Sequence, residues 1–527
     1  MEKPNHSFFI LSLFNLIMVK KVGCKSRTSV LPSTRLCGAP KQQLLGIHKN
    51  SCGQATNRSA LEKREECGVA AIILEKKGRI ASEMYNALLA LQHRGQDSTG
   101  MAVYSEGQLK RKRGIGLVSK VFEQEDVNLE GKMAIGHTRY PTSGVQRTVE
   151  DVQPLLYENL TAAHNGHISN YSDVKSELEE KGYEFKGNCD CEGICYLLDY
   201  ELKNSKGNVE IAVRKVMETL EGSYSVVAIY EDILIVFRDP FGIRPLEYGK
   251  RGKDYCFASE SVVFDVCGFE QVGTVLGGEL VIIKDGKIEK KRLIEKPQKN
   301  CMFEYVYFSR PDSVINGMSV HEVRKKLGEV LADEHPIEAD VIVPIPDTGR
   351  SAVTGFSKKS GIPYDEGLIK NRYIGRTFIM STQEERVKAV KTKLNPMRVV
   401  VAGKRVVLID DSIVRGTTMQ EIVRMVRGAG AKEIHLRITC PPIKAPCFYG
   451  VDMPTYKELI AHEKTVEETR KFLGADSLGY VSIEGLKKVL GNNICTACLN
   501  EEYHSEYVKK MAKEAKKKGL KYGSGCC

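Results

Sequence analysis

The stretch Val406–Met419 (VVLIDDSIVRGTTM) runs from an apolar strand into a helix and carries two carboxylates, an arginine and three hydroxyls at the junction. Asp410 and Asp411 stand where acids at a strand end can hold ribose hydroxyls and the shell of a magnesium ion. The backbone amides and hydroxyls of Ser412, Arg415, Gly416, Thr417 and Thr418 suit a 5′-phosphate seated at a helix N-terminus. A lone Asp-Asp or Gly-Thr-Thr would be an acidic strand end or a helix cap, but the whole unit is more specific. A second kind of chemistry is open to Cys67 in EECGVAAI. A thiol there is either a nucleophile or one more inert buried cysteine. A third sits near the C-terminus, where Cys495 and Cys498 (CTAC) form a C-x-x-C that zinc, redox chemistry or no ligand would equally explain.

Elements must hold these groups in place. Cys67–Glu75 is β-rich and reads as a buried strand, and Met84–His93 has helical periodicity. Met133–His137, Tyr224–Tyr230 and Ile233–Phe237 read as further strands, giving a sheet-rich first domain with covering helices. A polar stretch, Lys296–Cys301, marks a boundary. Beyond it, Val341–Pro346 and Arg405–Asp410 are short β-branched runs. A helix over Thr417–Arg427, a glycine stop at 428–430 and a strand over Glu433–Thr439 follow the second. That βαβ rhythm predicts a parallel sheet, whose ligands sit beyond the carboxyl ends of its strands. Lys509–Lys521 reads as a basic, solvated helix, and Cys526–Cys527 is weak evidence for lipidation.

Composition narrows the function classes. Hydrophobic content of 42% with 28% charged residues is that of a globular chain, so the 527 residues suffice for two or three domains. The net charge of +11 is mostly local: residues 1–60 hold nine Lys/Arg and one acid, a surplus of 8. The remainder is nearly balanced, which argues against a nucleic-acid footprint. No apolar run reaches the roughly 18–20 residues of a membrane span. Residues 1–66 are acid-poor, with scattered Ser, Thr and Arg. An unstructured leader or over-extended start, a targeting segment and a functional extension all fit that composition. Sixteen cysteines without dense even spacing favour thiol or metal chemistry over a disulfide framework.

The acceptor motif resembles that of type I phosphoribosyltransferases. With Phe308–Ser313 (FSRPDS), Pro346–Thr348 (PDT) and Lys370–Ile379 (KNRYIGRTFI), it resembles the glutamine phosphoribosylpyrophosphate amidotransferases, which open purine synthesis. The resemblance implies that Lys370, Arg372, Tyr373 and Arg376 belong to a loop that closes over phosphoribosyl pyrophosphate (PRPP), and that Thr348 joins Asp410 and Asp411 at one Mg2+ per subunit. A basic lid would neutralise the pyrophosphate leaving group and exclude water. In the first domain, His93–Gln96 (HRGQ), Gly136–Gly144 (GHTRYPTSG), His164–Asn170 (HNGHISN) and Asp190 in NCDCEG match the N-terminal-nucleophile amidotransferases in order. They imply Cys67 as nucleophile after removal of a leader, its own α-amine acting as base. They also imply Arg139 on the glutamine carboxylate, Asp190 on its amino group, and Asn165 with the Gly166 amide as oxyanion hole. A zwitterionic substrate needs one such cation and one such anion. Two departures stand out: RGQDSTG (Arg94–Gly100) where relatives often read RGQEGAG, and the extra thiols Cys189 and Cys191 beside Asp190.

The fold implied is an αββα glutaminase sandwich over residues 67–300, α+β in class, followed by an α/β phosphoribosyltransferase domain over 301–500 and a tail over 501–527. Cys301, Cys447, Cys495 and Cys498 occupy the positions by which bacterial-type relatives hold a [4Fe–4S] cluster. Four thiolates suit iron–sulfur or zinc equally, so the preference for iron rests on the resemblance. The expected cycle hydrolyses glutamine at Cys67, carries ammonia along a closed path that PRPP binding completes, and releases 5-phosphoribosylamine, glutamate and pyrophosphate. Purine nucleotides as feedback inhibitors, a homo-oligomer (dimer or tetramer) and a cytoplasmic location, or an organelle if the leader is a transit peptide, also follow from the resemblance. A non-catalytic PRPP sensor would need neither lid nor glutamine site. Another amidotransferase of this nucleophile class would lack VVLIDDSIVRGTT.

Overall fold

The computed structural model describes residues 67–140, 148–371, 393–453 and 455–518. Strand β1 (Gly68–Gly78) alternates as a doubly covered strand must. Val69, Ala71 and Ile73 face one hydrophobic layer, while Ala70, Ile72 and Leu74 face another. The strands β2 (Ser98–Ser105), β3 (Gln108–Ile115) and β4 (Gly131–Arg139) join it. The strands β5 (Leu155–Tyr157), β6 (Leu160–Ile168), β7 (Gly222–Tyr230) and β8 (Ile233–Arg238) build a second sheet. Of the next five, β9 (Glu247–Arg251), β10 (Asp254–Ala258) and β11 (Glu270–Thr274) return to the first sheet, and β12 (Glu279–Lys284) and β13 (Lys287–Arg292) extend the second. The orders are β11-β9-β10-β1-β4-β2-β3 and β13-β12-β8-β7-β6-β5, with every pairing antiparallel.

The two sheets enclose a core in which Val69, Ala71 and Ile135 meet Ala163, Val227 and Val236. Outside the first sheet lie helices Ile80–Ala90 and Val262–Cys267. Outside the second lie Tyr171–Glu180, Asp190–Asn204 and Val209–Thr219. These are the four layers of an αββα sandwich. The helix expected over Met84–His93 begins four residues earlier and stops at Ala90. Two features end it early: the Arg94 side chain turns into the protein interior, and Gly95 abuts the Arg139 backbone so closely that a Cβ would lie 2.5 Å from its nitrogen.

In the second half, β14 (Asn300–Cys301) opens the chain's next layer and the short β15 (Val314–Ile315) and β16 (Met318–Ser319) pair as a hairpin. The parallel sheet consists of β17 (Val341–Pro344), then, after the ribbon strands β18 (Leu368–Lys370) and β19 (Leu394–Pro396), β20 (Arg405–Asp410), β21 (Glu433–Ile438) and β22 (Ser477–Tyr480), in the order β17-β20-β21-β22. Near-continuous burial of β17 and β20 is what a sheet covered on both faces requires. The strand β23 (Ile494–Cys495) lies parallel to β14. Helices Val320–Glu334 and Gly349–Ser360 touch backbone to backbone. A Cβ at Gly328 would fall 2.0 Å from the Ala352 carbonyl oxygen, and one at Gly355 1.9 Å from that of Lys325. The basic segment expected to be a solvated helix is instead docked. In Glu506–Lys518, Val508, Ala512 and Ala515 pack into the core of the second half while Lys509, Lys510, Lys513, Lys516 and Lys517 are exposed.

Candidate functional site

Residue Cys67 precedes β1, whose first residue pairs with Thr138, so Arg139 at the end of β4 stands beside the thiol. Both residues are buried. The Cys67 carbonyl accepts a hydrogen bond from Arg94 Nε at 2.9 Å. Burial pushes its thiol up to about 11, against the pull of the Tyr140 backbone and the Arg139 charge. Asn165 and Gly166 sit on β6 opposite Ser225 and Tyr224. Asn165 Nδ2 donates to Ser259 Oγ at 3.4 Å, and that hydroxyl accepts from Val69 N at 3.0 Å, two residues from Cys67. Gly166 has φ +151°, and a Cβ there would lie 2.0 Å from the Ser223 oxygen, so only glycine fits.

The carboxylate of Asp190 opens the helix Asp190–Asn204 and is wholly buried. Its Oδ2 accepts from Ile168 N at 2.9 Å and lies 3.7 Å from His167 Nδ1, while its Oδ1 lies 3.5 Å from His164 Nε2. Arg139 Nη1 donates to the Asp151 carbonyl at 2.7 Å, which orients the guanidinium. The extra thiols lie inside the fold: Cys189 Sγ accepts from Gln153 Nε2 at 3.6 Å and Cys191 Sγ donates to Ala162 O at 3.5 Å. One end of the sandwich therefore gathers a thiol, a cation, an anion and a glycine amide, a set suited to acyl transfer from a zwitterionic amide.

At the carboxyl ends of β17 and β20 lies the second group. Thr348 Oγ1 and Ser412 Oγ both donate to the Asp411 carboxylate, and Asp411 N donates to Asp410 Oδ1 at 2.9 Å. Gly349 allows this convergence, since a Cβ there would lie 2.4 Å from the Ile409 oxygen. Gly416, at φ +80°, turns the chain into helix Thr417–Gly428. The hydroxyl of Thr417 is buried at that turn and has no hydrogen-bond partner in the structure, as a hydroxyl awaiting a ligand oxygen would be. Arg415 instead turns its guanidinium to Glu458, at 2.9 Å. Lys370, at the end of β18, pairs with Asp347 at 2.9 Å. Arg372, Tyr373 and Arg376 lie outside the described residues, as does the leader 1–66.

The cysteines near the C-terminus also converge. Cys301 and Cys495 are register partners in β14 and β23. The Cys498 carbonyl accepts from Lys444 N and Ala445 N at 2.9 and 3.0 Å, which brings Cys447 alongside. Burial pushes the Cys495 thiol up to about 12, and Cys498 is raised by burial and then by Cys447, Cys495, Cys440 and Cys301. All described cysteines are free thiols, and among the described residues no three or more His, Cys, Asp or Glu side chains close on a single ion.

Sequence reasoning did not find the polar network between the two groups. Arg94, fully buried, donates to Glu260 at 2.6 Å and to both oxygens of Glu304 at 2.8 and 2.9 Å. Glu260 also receives Arg310 N and Ser313 Oγ from the FSRPDS segment, at 3.0 and 2.6 Å. Burial would raise its carboxyl, but His93, Arg94 and Ser313 outweigh that and hold it below the usual carboxylate range. The available signal was an acid beside one apolar run, SESVVF, and inside another, FEYVYF.

Comparison with known proteins finds relatives of both halves. Residues 137–265 match a family described as a glutamine amidotransferase domain, and residues 315–466 one described as a phosphoribosyl transferase domain. The amidophosphoribosyltransferase of Methanothermobacter thermautotrophicus is 49% identical over 452 residues, covering 84% of this chain and 95% of the relative. A chloroplastic amidophosphoribosyltransferase of Glycine max is 42% identical, covering 84% of this chain and 79% of that one. The solved structure of glutamine PRPP amidotransferase from B. subtilis, complexed with ADP and GMP, aligns with a TM-score of 0.77 at 41% identity. It covers 84% of this chain and 98% of that chain.

Proposed function

The chain belongs to the amidophosphoribosyltransferase family, and from that premise we propose which of its residues perform each part of the reaction. The enzyme converts glutamine, PRPP and water to 5-phosphoribosylamine, glutamate and pyrophosphate, the first step of purine biosynthesis. The observation that carries the residue assignment is the gathering of Cys67, Arg139, Asn165, Gly166 and Asp190 at one end of the sandwich.

Arg139 binds the glutamine α-carboxylate and Asp190 its α-amino group. In a chain cut before Cys67, the α-amine, with an intrinsic pKa of roughly 8, takes the thiol proton and later passes it to the departing ammonia. The thiolate attacks the amide carbon, and Asn165 and the Gly166 amide stabilise the oxyanion. Water hydrolyses the thioester to glutamate. At the other site, Thr417, Thr418 and the amides of Ser412, Arg415 and Gly416 hold the 5′-phosphate, and Asp410 and Asp411 hold the ribose hydroxyls. Lys370 and the lid residues Arg372, Tyr373 and Arg376 hold pyrophosphate. Ammonia then displaces pyrophosphate from the anomeric carbon.

The pair Asp410 and Asp411, with Thr348, fits Mg2+, which is commonly held by one or two carboxylates and substrate phosphates; when bound it neutralises charge on the leaving group. Cys301, Cys447, Cys495 and Cys498 fit a [4Fe–4S] cluster, which would cross-link three segments of the second half. Cys498, raised by burial and by its neighbouring thiols, needs a cationic partner to ionise. Four thiolates suit iron–sulfur or zinc alike, so the choice of iron rests on the relatives that the segments resemble. Purine nucleotides, as in the B. subtilis complex, are the proposed inhibitors, and the active form is a homo-oligomer.

Anaerobic purification followed by intact mass, metal and sulfide analysis, and glutaminase assay tests the reading. The expected result is a chain beginning at Cys67, with iron and sulfide. It should release glutamate faster when PRPP is present and lose that activity in Cys67→Ala. An uncleaved, folded chain without glutamine turnover would overturn the nucleophile assignment, and zinc in place of iron would overturn the cluster.

A further inference from the structure

The segment Cys440–Gly450 runs from one site to the other. At its start, Cys440 N donates to the Asp411 carbonyl at 2.8 Å, beside the diacid of the acceptor site. At its end it lies on the glutamine half. Phe448 O accepts from Ser169 Oγ at 2.8 Å, and Tyr449 O accepts from Ser223 Oγ at 2.6 Å and Arg244 Nη2 at 2.7 Å. Both serines flank the oxyanion strand: Ser169 follows β6, and Ser223 is the β7 residue against which Gly166 closes. Gly450, at φ +99°, completes the contact. A Cβ there would lie 3.2 Å from the Gly166 carbonyl carbon, 3.2 Å from His167 Cβ and 2.9 Å from Arg244 Nη2.

The backbone that carries the oxyanion-stabilising amide is therefore not supported by the glutamine half alone. Its inner side rests on β7, and its outer side rests on a main-chain segment of the acceptor half. Arg244 is buried and lies 3.6 Å from Glu304, so the clamp on Tyr449 O is also joined to the network around Arg94. A carbonyl that accepts from both a serine and a buried guanidinium is fixed more firmly than a single neutral hydrogen bond would fix it.

We propose that Phe448–Gly450 is a positioning element for glutamine hydrolysis, with Gly450 backing the Gly166–His167 peptide, whose placement fixes the adjoining Gly166 N–H in its oxyanion-binding orientation, and Ser223 and Arg244 holding the Tyr449–Gly450 peptide. The inference rests on the assignment of Gly166 to the oxyanion hole and adds a dependence of that hole on the acceptor half. An oxyanion donor acts on the transition state rather than on bound glutamine, so its displacement lowers kcat and leaves KM nearly unchanged. The acceptor chemistry, supplied with ammonia directly, does not use the hole.

Gly450→Ala and Ser223→Ala, made in the full chain, test this. In Gly450→Ala the glutaminase kcat should fall about tenfold or more, with the KM for glutamine within about twofold and ammonia-dependent 5-phosphoribosylamine formation within about twofold of wild type. Ser223→Ala removes one clamp donor without adding atoms and should lower the glutaminase kcat by about threefold or more, again at unchanged KM and ammonia-dependent rate. An unchanged glutaminase kcat in Ser223→Ala overturns the proposal, even if Gly450→Ala disturbs folding and lowers both activities together. A rise in KM at constant kcat also overturns it, because it would place the segment in glutamine binding. Failure of the underlying reading has a different signature, since Asn165→Ala, which removes the other donor assigned to the oxyanion, would then leave the glutaminase kcat unchanged.

Discussion

At the scale of single residues, the same cysteine is a poor nucleophile or a good one according to what precedes it. With its nitrogen in a peptide bond to Glu66, the Cys67 thiol is buried and pushed up to about 11, so almost none is ionised at neutral pH. Alkylation of Cys67 by iodoacetamide should therefore be slow at pH 7 in the uncleaved chain, rising about tenfold per pH unit until the pH passes that value. In a chain beginning at Cys67, the free α-amine offers a base with pKa near 8, and alkylation should already be fast at pH 8. Mass-resolved alkylation of the two forms between pH 6 and 10 makes the comparison, and identical profiles would remove the α-amine from its role. The surrounding charges were legible in the sequence because each stood in a motif. The burial of the Cys67 strand was legible too, from its unbroken β-rich run, but the anchoring of the Cys67 carbonyl by Arg94, itself held by Glu260 and Glu304, was not, since those partners meet only in the fold.

At the scale of elements, the acceptor site depends on how closely helix Gly349–Ser360 can start against β20. Gly349→Ala would drive a methyl group toward the Ile409 carbonyl and push the Thr348 turn from Asp411. It should cost about 1–3 kcal/mol of stability and raise the KM for PRPP well above that for glutamine, as thermal unfolding and separate substrate titrations would report. An equal rise in both would place the damage elsewhere. This part of the fold was open to reading from sequence. β20 is an uninterrupted run of branched residues ended by acids, and its observed span, Arg405–Asp410, is the one its pattern predicts. The helix near Met84 was displaced because its end is set by Arg94, which reaches across to Glu260 and Glu304, more than 160 positions away in sequence. The C-terminal helix reads as solvated because its lysines dominate the composition. The buried stripe of Val508, Ala512 and Ala515 is small and easily lost among them.

At the scale of the whole molecule, the two halves are joined through buried charge. Glu260 belongs to the glutamine half, yet its partners include Arg310 and Ser313 beyond the boundary. Because its folded carboxyl is held below the unfolded value, the stability it contributes is fully present above about pH 4.5 and lost as pH falls below that. The thermal midpoint should drop steeply in that acid range for the wild type. Glu260→Gln should start lower at pH 7, by the equivalent of about 3–5 kcal/mol, and show a shallower acid slope. Parallel curves would remove Glu260 from the linkage. The helix pair of the second half has a mechanical consequence. Helices usually meet through side chains, whose rotamers absorb small shifts. Where Gly328 and Gly355 bring main chain against main chain, that cushion is missing. One helix begins at the turn carrying Thr348, and the other carries Arg324, which grips the carbonyls of Tyr305, Tyr307 and Ser309. A displacement at the first turn thus reaches the grip of the second without slack, as through a stiff lever rather than a spring.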